Sequence, residues 1–324
     1  MDMKRDWYPR PKQQKTCRCL NCGADVWQIH MSGQVRCADC DALSQLYMPL
    51  KPIQRVAKDQ LKTSTMTNTP FQFIRYEVVQ GLATITIDRP PYNVLDIPTM
   101  EEICAALERC RAAPDVKLLC VTGAGNKAFS AGVEVADHTP DKVDRMIDVF
   151  HGIFRLLQDM PMPTLAAVNG AALGGGMELA LGCDMIVAAE GSKFGQPEIK
   201  LAVFPPVAAV LLPRRIPLAR AMEIILGGDP IVADEALRLG LVNRVFPKAS
   251  FDSDLAAFVG PYLKLSRTAL LSARRALRVA ADKPFAAALD AAETVYLEEL
   301  MSTSDAQEGL AAFLEKRTPV WRNQ

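Results

Sequence analysis

The stretch NGAALGGGMELALGCD, residues 169–184, combines three consecutive glycines with a glutamate in an otherwise apolar run. Glycine costs backbone entropy, and a carboxylate in apolar surroundings costs desolvation. The segment GGMELALGC predicts a short helix, whose first N–H groups would be unpaired at its positive end. Such N–H groups, directed at a carbonyl oxygen, form an oxyanion hole. The stretch therefore predicts a site that stabilises a developing negative charge.

Strand and helix patterns alternate around this stretch. Strands are predicted in the apolar runs 71–79, 82–88, 117–123, 163–170 and 184–190. Helices are predicted over 98–111, 141–160 and 175–183, and the chain becomes mostly helical after residue 205. This order predicts the α/β class with a helical C-terminal region.

The composition is that of a globular enzyme rather than of a membrane or nucleic-acid-binding protein. The chain has 324 residues, 49% hydrophobic and 23% charged, with a formal net charge of +0. A neutral chain carries no general electrostatic attraction to nucleic acid or to anionic lipid. No apolar run reaches the roughly 20 residues of a membrane helix, and the N-terminus lacks the apolar core of a secretory signal. We therefore predict a cytoplasmic protein.

The first 40 residues contain five of the nine cysteines, and four of them form two matched pairs. Cys19 and Cys22 make one CxxC turn, and Cys37 and Cys40 make the other. Each turn can direct two thiolates at one ion, and two turns complete a tetrahedral site. The spacing predicts a zinc-ribbon-like module over residues 1–48 with one structural zinc.

Several alternatives for this N-terminal part remain open. Iron in a rubredoxin-like site and free thiols also fit the cysteines, with Cys17 and His30 as spare ligands. Residues 49–70 are polar and bounded by prolines, which predicts a linker. Translation from Met66 would make the module dispensable to a main domain at residues 71–324.

Three segments together resemble the crotonase (enoyl-CoA hydratase/isomerase) superfamily. They are AFSAGVEV (128–135), NGAALGGGMELALGCDMIVAAE (169–190) and FGQPEIKL (194–201). The resemblance extends from about residue 71 to the C-terminus. It implies a spiral of strand-strand-helix units, a helical part from about residue 251, and a homotrimer or dimer of trimers.

The resemblance also implies roles for individual residues. The N–H groups of Val133 and Gly175 would hold the thioester oxygen of an acyl-CoA substrate, and Glu178 and Glu198 would be the two catalytic glutamates, with no cofactor for catalysis. Addition of water to a conjugated thioester needs a base for the water and an acid for carbon. We expect Glu178 to be the base and Glu198 the acid, with the reverse assignment open. A helix-start carboxylate and a solvated loop acid are the structural alternatives.

Departures from the family pattern narrow the expected substrate. Pro205-Pro206, in VFPPVAAVLLPR (203–214), stands where ordinary enoyl-CoA hydratases have a glycine-rich segment, and it removes two N–H donors. Three segments look most like the cyclohexa-1,5-diene-1-carbonyl-CoA hydratases of anaerobic benzoyl-CoA degradation. They are RPPYNVLDIPTM (89–100), SAGVEVADHTPDKV (130–143) and PEIKLAVFPPVAAVLLPR (197–214). The resemblance implies hydration to 6-hydroxycyclohex-1-ene-1-carbonyl-CoA.

Other functions remain as alternatives. One is a general enoyl-CoA hydratase/isomerase of fatty-acid type, and another is a zinc-ribbon protein that binds a partner or nucleic acid. Arg214, Arg215 and the segment SARRALR (272–278) could contact CoA phosphates or form solvated faces. Asp184 is expected to tie a loop rather than to touch substrate.

Overall fold

The computed structural model describes residues 7–9, 27–30, 34–37, 43–45 and 71–323, and side chains only within the last range. The chain divides into two compact units, Met1–Thr67 and Asn68–Gln324. In the first unit, strands β1 (Trp7–Pro9), β2 (Trp27–His30), β3 (Gln34–Cys37) and β4 (Leu43–Gln45) form an antiparallel sheet in that order.

The predicted zinc site lies mostly outside the described residues. Cys19, Cys22 and Cys40 are not described, and Cys37 lies in β3, of which only the backbone is described. The linker predicted at 49–70 also lies outside the described part. The zinc ribbon therefore remains a prediction from sequence spacing.

The second unit contains two sheets. Its strands are β5 (Ile74–Val79), β6 (Leu82–Ile87), β7 (Leu118–Gly123), β8 (Ala128–Ser130), β9 (Thr164–Val168), β10 (Ala171–Leu173), β11 (Met185–Ala189), β12 (Lys193–Gly195), β13 (Ile231–Val232) and β14 (Arg244–Phe246). The larger sheet has the order β14-β11-β9-β7-β6-β5, and the smaller has the order β13-β12-β10-β8. All neighbours pair in parallel except β5 with β6 and β12 with β13.

Helices surround these sheets. Those before residue 250 are α1 (Ile97–Ala112), α2 (Val143–Gln158), α3 (Gly175–Gly182), α4 (Pro206–Leu211), α5 (Leu218–Gly227) and α6 (Ala233–Arg238). The C-terminal ones are α7 (Phe251–Leu263), α8 (Arg267–Ala280), α9 (Phe285–Thr294) and α10 (Ser304–Leu314), with a π-helical turn at Val295–Leu300. The α/β class and the helical C-terminal region are confirmed.

The larger sheet is buried on both faces, which explains its continuous apolar strands. Successive side chains point to opposite faces of a strand. In β7, Leu118 and Cys120 join a cluster that includes Phe251 of α7, whereas Leu119 and Val121 join the main core with α1, α2 and α3. The two hydrophobic clusters cover both faces of the sheet. They fix the positions of its strands relative to the helices around them.

Asp184 and arginines of α8 fasten the C-terminal helices to the sheet. The Nε of Arg274 lies 2.7 Å from the carboxylate of Asp184, and the Nη2 of Arg278 lies 2.6 Å from it. The same carboxylate accepts hydrogen bonds from the backbone N–H and the hydroxyl of Thr164, both at 2.9 Å. Arg274 is only 8% exposed and also donates to the carbonyl of Leu157. Burial alone would raise the pKa of Asp184, but the two arginines hold it below its usual value. Asp184 is expected to tie a loop, but it instead joins α8 to the start of β9.

The basic residues considered as CoA contacts are largely occupied by the protein itself. Arg215 donates to the carbonyls of Leu181 and Cys183, and Arg214 pairs with Asp282 at 3.3 Å. In the segment 272–278, Arg274 and Arg278 bind Asp184, and Arg275 pairs with Glu299 at 3.1 Å. Arg215, Arg274 and Arg278 are therefore held by groups of the protein itself, which neither sequence alternative had foreseen. Arg214 and Arg275 are mostly exposed, as the solvated-face alternative expected.

Candidate active site

The turn between β10 and α3 carries the three glycines. Gly174 has φ +51° and ψ −129°, a conformation that side-chain-bearing residues rarely adopt. Its N–H donates to the carbonyl of Gly195 at 2.9 Å, which fixes the turn against β12. α3 then begins at Gly175, whose N–H is the first of the helix and lies at its positive end.

The turn after β8 presents a second N–H group. Leu95 bridges this turn. Its N–H donates to the carbonyl of Gly132 at 2.9 Å, and its carbonyl accepts a hydrogen bond from the N–H of Glu134 at 3.0 Å. Because successive peptide groups of an extended chain face opposite sides, the N–H of Val133 points away from Leu95. Among residues 71–323, no group accepts a hydrogen bond from the N–H of Val133 or of Gly175.

The two turns are in direct contact. A Cβ placed on Gly175 would lie 2.6 Å from Cγ2 of Val133 and 3.2 Å from its backbone nitrogen. A Cβ on Gly132, whose φ is +109°, would lie 3.0 Å from the carbonyl oxygen of Leu173 and 3.5 Å from the nitrogen of Gly175. The unpaired N–H groups of Val133 and Gly175 are therefore neighbours, as an oxyanion hole requires.

Glu178 lies in the first turn of α3 and is only 2% exposed. Its Oε1 accepts hydrogen bonds from the N–H groups of Val207 and Ala208, both at 2.8 Å, at the start of α4. Burial raises the pKa of Glu178 to about 7; the N–H of Ala208 opposes this, the charge of Glu198 adds to it, and the N–H of Val207 opposes it. A carboxyl with this pKa can exchange a proton at neutral pH.

Glu198 lies in a 3₁₀-helix, Pro197–Leu201, directly after β12. Its side chain is partly buried, and burial raises its pKa. The fully buried Gln196 faces it, and with its NH₂ group turned toward the carboxylate, the amide nitrogen lies 3.1 Å from both oxygens. This contact orients a carboxylate that would otherwise rotate freely.

Both glutamates meet at Gly174. The N–H of Glu178 donates to the carbonyl of Gly174 at 3.0 Å, and Oε1 of Glu198 lies 2.7 Å from where a Cβ on Gly174 would stand. The structure therefore brings Glu178, Glu198 and the N–H groups of Val133 and Gly175 together at one turn. Chemically, this arrangement offers an anion-stabilising pair of donors on a turn shared with two glutamates whose pKa values are raised.

A match to a known family agrees with this geometry. Residues 77–324 match the model of the enoyl-CoA hydratase/isomerase family. The chain belongs to this family. It is accordingly an enzyme of the enoyl-CoA hydratase type, a hydro-lyase, and crotonase-family enzymes need no cofactor for catalysis.

Individual relatives of this enoyl-CoA hydratase/isomerase family member carry hydratase names. The chain is 37% identical over 250 residues to the cyclohexa-1,5-dienecarbonyl-CoA hydratase of Thauera aromatica, covering 75% of this chain and 94% of the relative. It is 35% identical over 255 residues to the crotonyl-CoA hydratase of Syntrophomonas wolfei, covering 76% and 96%. The crystal structure of an enoyl-CoA hydratase from Bacillus anthracis superposes with a TM-score of 0.75 at 30% identity, covering 78% of this chain and all of that one.

Sequence reasoning missed the groups that hold the two glutamates. Gln196 stood in a quoted motif without a role, although a glutamine two residues before a candidate acid is a usable signal. The N–H groups of Val207 and Ala208 carry no side-chain signal at all. Among residues 71–323, no three His, Cys, Asp or Glu side chains are grouped to hold a metal ion. No helix within the described residues is long and apolar enough to cross a membrane.

Proposed function

We propose that the enzyme adds water to a conjugated acyl-CoA thioester at the turn formed by Val133, Gly174 and Gly175. The N–H groups of Val133 and Gly175 hold the thioester oxygen. Glu178 takes a proton from the attacking water, and Glu198 gives a proton to carbon. The observation that carries this proposal is that Gly174 contacts the backbone of Glu178 and the carboxylate of Glu198, beside two N–H groups without an acceptor among residues 71–323.

The chemistry follows from where charge develops. The water oxygen bonds to the β carbon while its proton passes to Glu178, and the electron pair of the double bond moves toward the thioester oxygen. The resulting enolate is stabilised by two fixed N–H donors and by the positive end of α3. Collapse of the enolate takes a proton from Glu198 onto carbon. Burial raises the pKa of both carboxyls, and that of Glu178 reaches about 7, so Glu178 can change protonation state near neutral pH.

For the acyl group, we propose a cyclic conjugated dienoyl thioester. The 37% identical relative named cyclohexa-1,5-dienecarbonyl-CoA hydratase and the Pro205-Pro206 departure support this choice. In such a substrate the enolate extends through the second double bond, and the proton is delivered to the remote end of the diene. A straight-chain enoyl-CoA is the second candidate, because a crotonyl-CoA hydratase is 35% identical.

The roles of the glutamates are tested by Glu178→Gln and Glu198→Gln, made separately. Each should lower kcat by about 10² or more, since each removes a general acid or base. Glu190→Gln, at an exposed glutamate after β11, is the matched control and should hydrate at the parent rate. Parent-like turnover in either active-site variant would refute the two-carboxylate mechanism.

The acyl group is tested by comparing kcat/KM for cyclohexa-1,5-diene-1-carbonyl-CoA and crotonyl-CoA, with the products separated by chromatography. A preference for the cyclic substrate, with 6-hydroxycyclohex-1-ene-1-carbonyl-CoA as product, supports the proposal. A clear preference for crotonyl-CoA would overturn the cyclic assignment while leaving water addition intact.

We also propose that the enzyme assembles as a homotrimer or dimer of trimers through its C-terminal helices. These helices expose large apolar side chains, among them Phe285 and Phe313 at 82% and Leu314 at 79%. Exposed apolar surface of this kind marks interaction sites. Sedimentation at several concentrations should give three or six times the chain mass, and a monomer would refute the assembly.

For the N-terminal part, we propose one structural zinc held by Cys19, Cys22, Cys37 and Cys40 in a module spanning residues 1–48. The support is the spacing of the two CxxC pairs, with the antiparallel β2–β3 hairpin between them. Metal analysis of the full chain should give one zinc per chain, reduced to near zero by Cys37→Ser with Cys40→Ser. Iron in its place, or no metal, would refute the zinc assignment.

A further inference from the structure

The start of α4 has unusually few N–H groups. A helix begins with up to four backbone N–H groups that have no acceptor within it. In α4, two of these positions are Pro205 and Pro206, which carry no N–H. The next N–H in line, that of Ala209, donates to the carbonyl of Pro205 at 3.0 Å. Only Val207 and Ala208 are left with an N–H to offer.

Both remaining N–H groups go to the same atom. Val207 and Ala208 each donate to Oε1 of Glu178 at 2.8 Å. Among residues 71–323, no group donates to the other carboxylate oxygen, Oε2. The two oxygens of Glu178 are therefore chemically unequal, because hydrogen bonds from N–H groups reduce the basicity of the oxygen that accepts them.

We propose that Pro206 is a positioning residue that keeps Oε2 of Glu178 free of backbone donors, so that Oε2 is the oxygen that takes the proton from water. Oε1 is anchored by two N–H groups and fixes the direction of the carboxyl. Oε2, with no competing donor, remains the more basic atom. This inference rests on the proposed role of Glu178 as the base and adds which oxygen acts and what keeps it available.

The effect of the proline becomes clear when any other residue is considered at position 206. Any other amino acid would add a third N–H at the first position of α4, directly before the two N–H groups that Glu178 accepts. A carboxylate that accepts three backbone N–H groups is a weaker base than one that accepts two. Burial raises the pKa of Glu178 to about 7 against the pull of Ala208 and Val207. A third donor would add to that pull, so the proline preserves a base suited to neutral pH.

The test is Pro206→Ala, which supplies the N–H while alanine keeps a helical backbone. The acid limb of the pH profile of kcat/KM, set by Glu178, should move about one pH unit lower. The plateau of kcat should fall several-fold, with KM nearly unchanged, because a weaker base removes the proton more slowly.

Pro213→Ala is the matched control, since Pro213 lies in the following 3₁₀ turn, Leu212–Arg214, and contacts neither glutamate by a hydrogen bond. It makes the same change of residue type in the same segment, and its acid limb should stay at the parent pH. A folded Pro206→Ala enzyme whose profile superposes on that of the parent would overturn the inference. So would an equal shift in Pro213→Ala, since loss of proline stiffness would then be the cause.

Infrared spectroscopy of the parent enzyme covers the case in which Pro206→Ala does not fold. The carboxylic C=O band lost in Glu178→Gln should lie at low frequency, because the C=O oxygen accepts two N–H groups when the proton is on Oε2. A band at the position of a free C=O would overturn the inference. If Glu178→Gln turned over normally, the proposed function itself would fail, whereas an inactive Glu178→Gln with an unshifted Pro206→Ala rejects the positioning role alone.

Discussion

Replacing Glu178 by Gln should make the protein more stable as well as inactive. Burial raises the pKa of Glu178 from an ordinary 4.5 to about 7. The native state therefore binds this proton more tightly than the unfolded chain does. The resulting stability is fully present below pH 4.5 and is lost as pH rises through 7. A shift of this size corresponds to about 3 kcal/mol of unfolding free energy.

Glutamine has the same shape and cannot ionise. Its side-chain oxygen can still accept from the N–H groups of Val207 and Ala208, so the start of α4 stays satisfied. At pH 5 the parent and Glu178→Gln should melt at similar temperatures. At pH 9 the variant should melt about 5 °C higher, because only the parent must hold a buried charge. This would be a direct instance of stability given up for activity.

Thermal unfolding followed by circular dichroism at pH 5, 7 and 9 measures this difference. Glu190→Gln, the exposed control, should follow the parent at all three pH values. The reasoning fails if the gap in melting temperature between the parent and Glu178→Gln is the same at pH 5 and pH 9. A constant gap would show that ionisation of Glu178 has no energetic consequence, and its raised pKa could not then serve catalysis.

Substitutions at three further positions test two contacts of Glu198 and the pairing of Asp184 with α8. Gly174→Ala should lower kcat by about 10² in steady-state assays, because its Cβ would lie 2.7 Å from Oε1 of Glu198 at a φ of +51°. Gln196→Leu removes the amide that faces Glu198 and should lower kcat about tenfold; Gln196→Asn, which keeps an amide on a shorter arm, should recover part of that loss. An unchanged kcat in Gln196→Leu would remove Gln196 from the site. Arg274→Met removes one of the two arginines that pair with Asp184 and should cost about 2 kcal/mol by urea unfolding, with the exposed Arg275→Met as its control. Equal loss in both would contradict the role of Asp184 in holding α8.

The sheet core and its helices could be predicted because their signals are local. The strands β7, β9 and β11 are mostly apolar, since both faces of the sheet are covered. The predicted strand at 117–123 corresponds to β7 at Leu118–Gly123. The helix predicted at 141–160 is α2 at Val143–Gln158, with apolar residues on one face. Such patterns can be recognised in the sequence because each depends only on residues that are close together along the chain.

The smaller sheet and the supports of the site could not be predicted in the same way. β8, β10 and β12 are three residues each, too short for a periodic signal, and they run through glycine-rich turns. The N–H groups that donate to Glu178 lie 29 and 30 residues after it in the sequence. Arg274 lies 90 residues after Asp184, with which it pairs. These partners are fixed by the fold, so the sequence shows the catalytic candidates but not what holds them.

The three consecutive glycines each exclude a side chain for a different reason. A Cβ at Gly174 would enter the space of the Glu198 carboxylate, and one at Gly175 would push against Val133 and part the two N–H donors. A Cβ at Gly176 would lie 2.2 Å from the carbonyl oxygen of Ser130 and force α3 away from β8. Because the three contacts lie on different partners, no single shift of the backbone relieves them all. The three glycines therefore cost backbone entropy, but they permit the close contacts that bring the buried Glu178 within reach of the thioester.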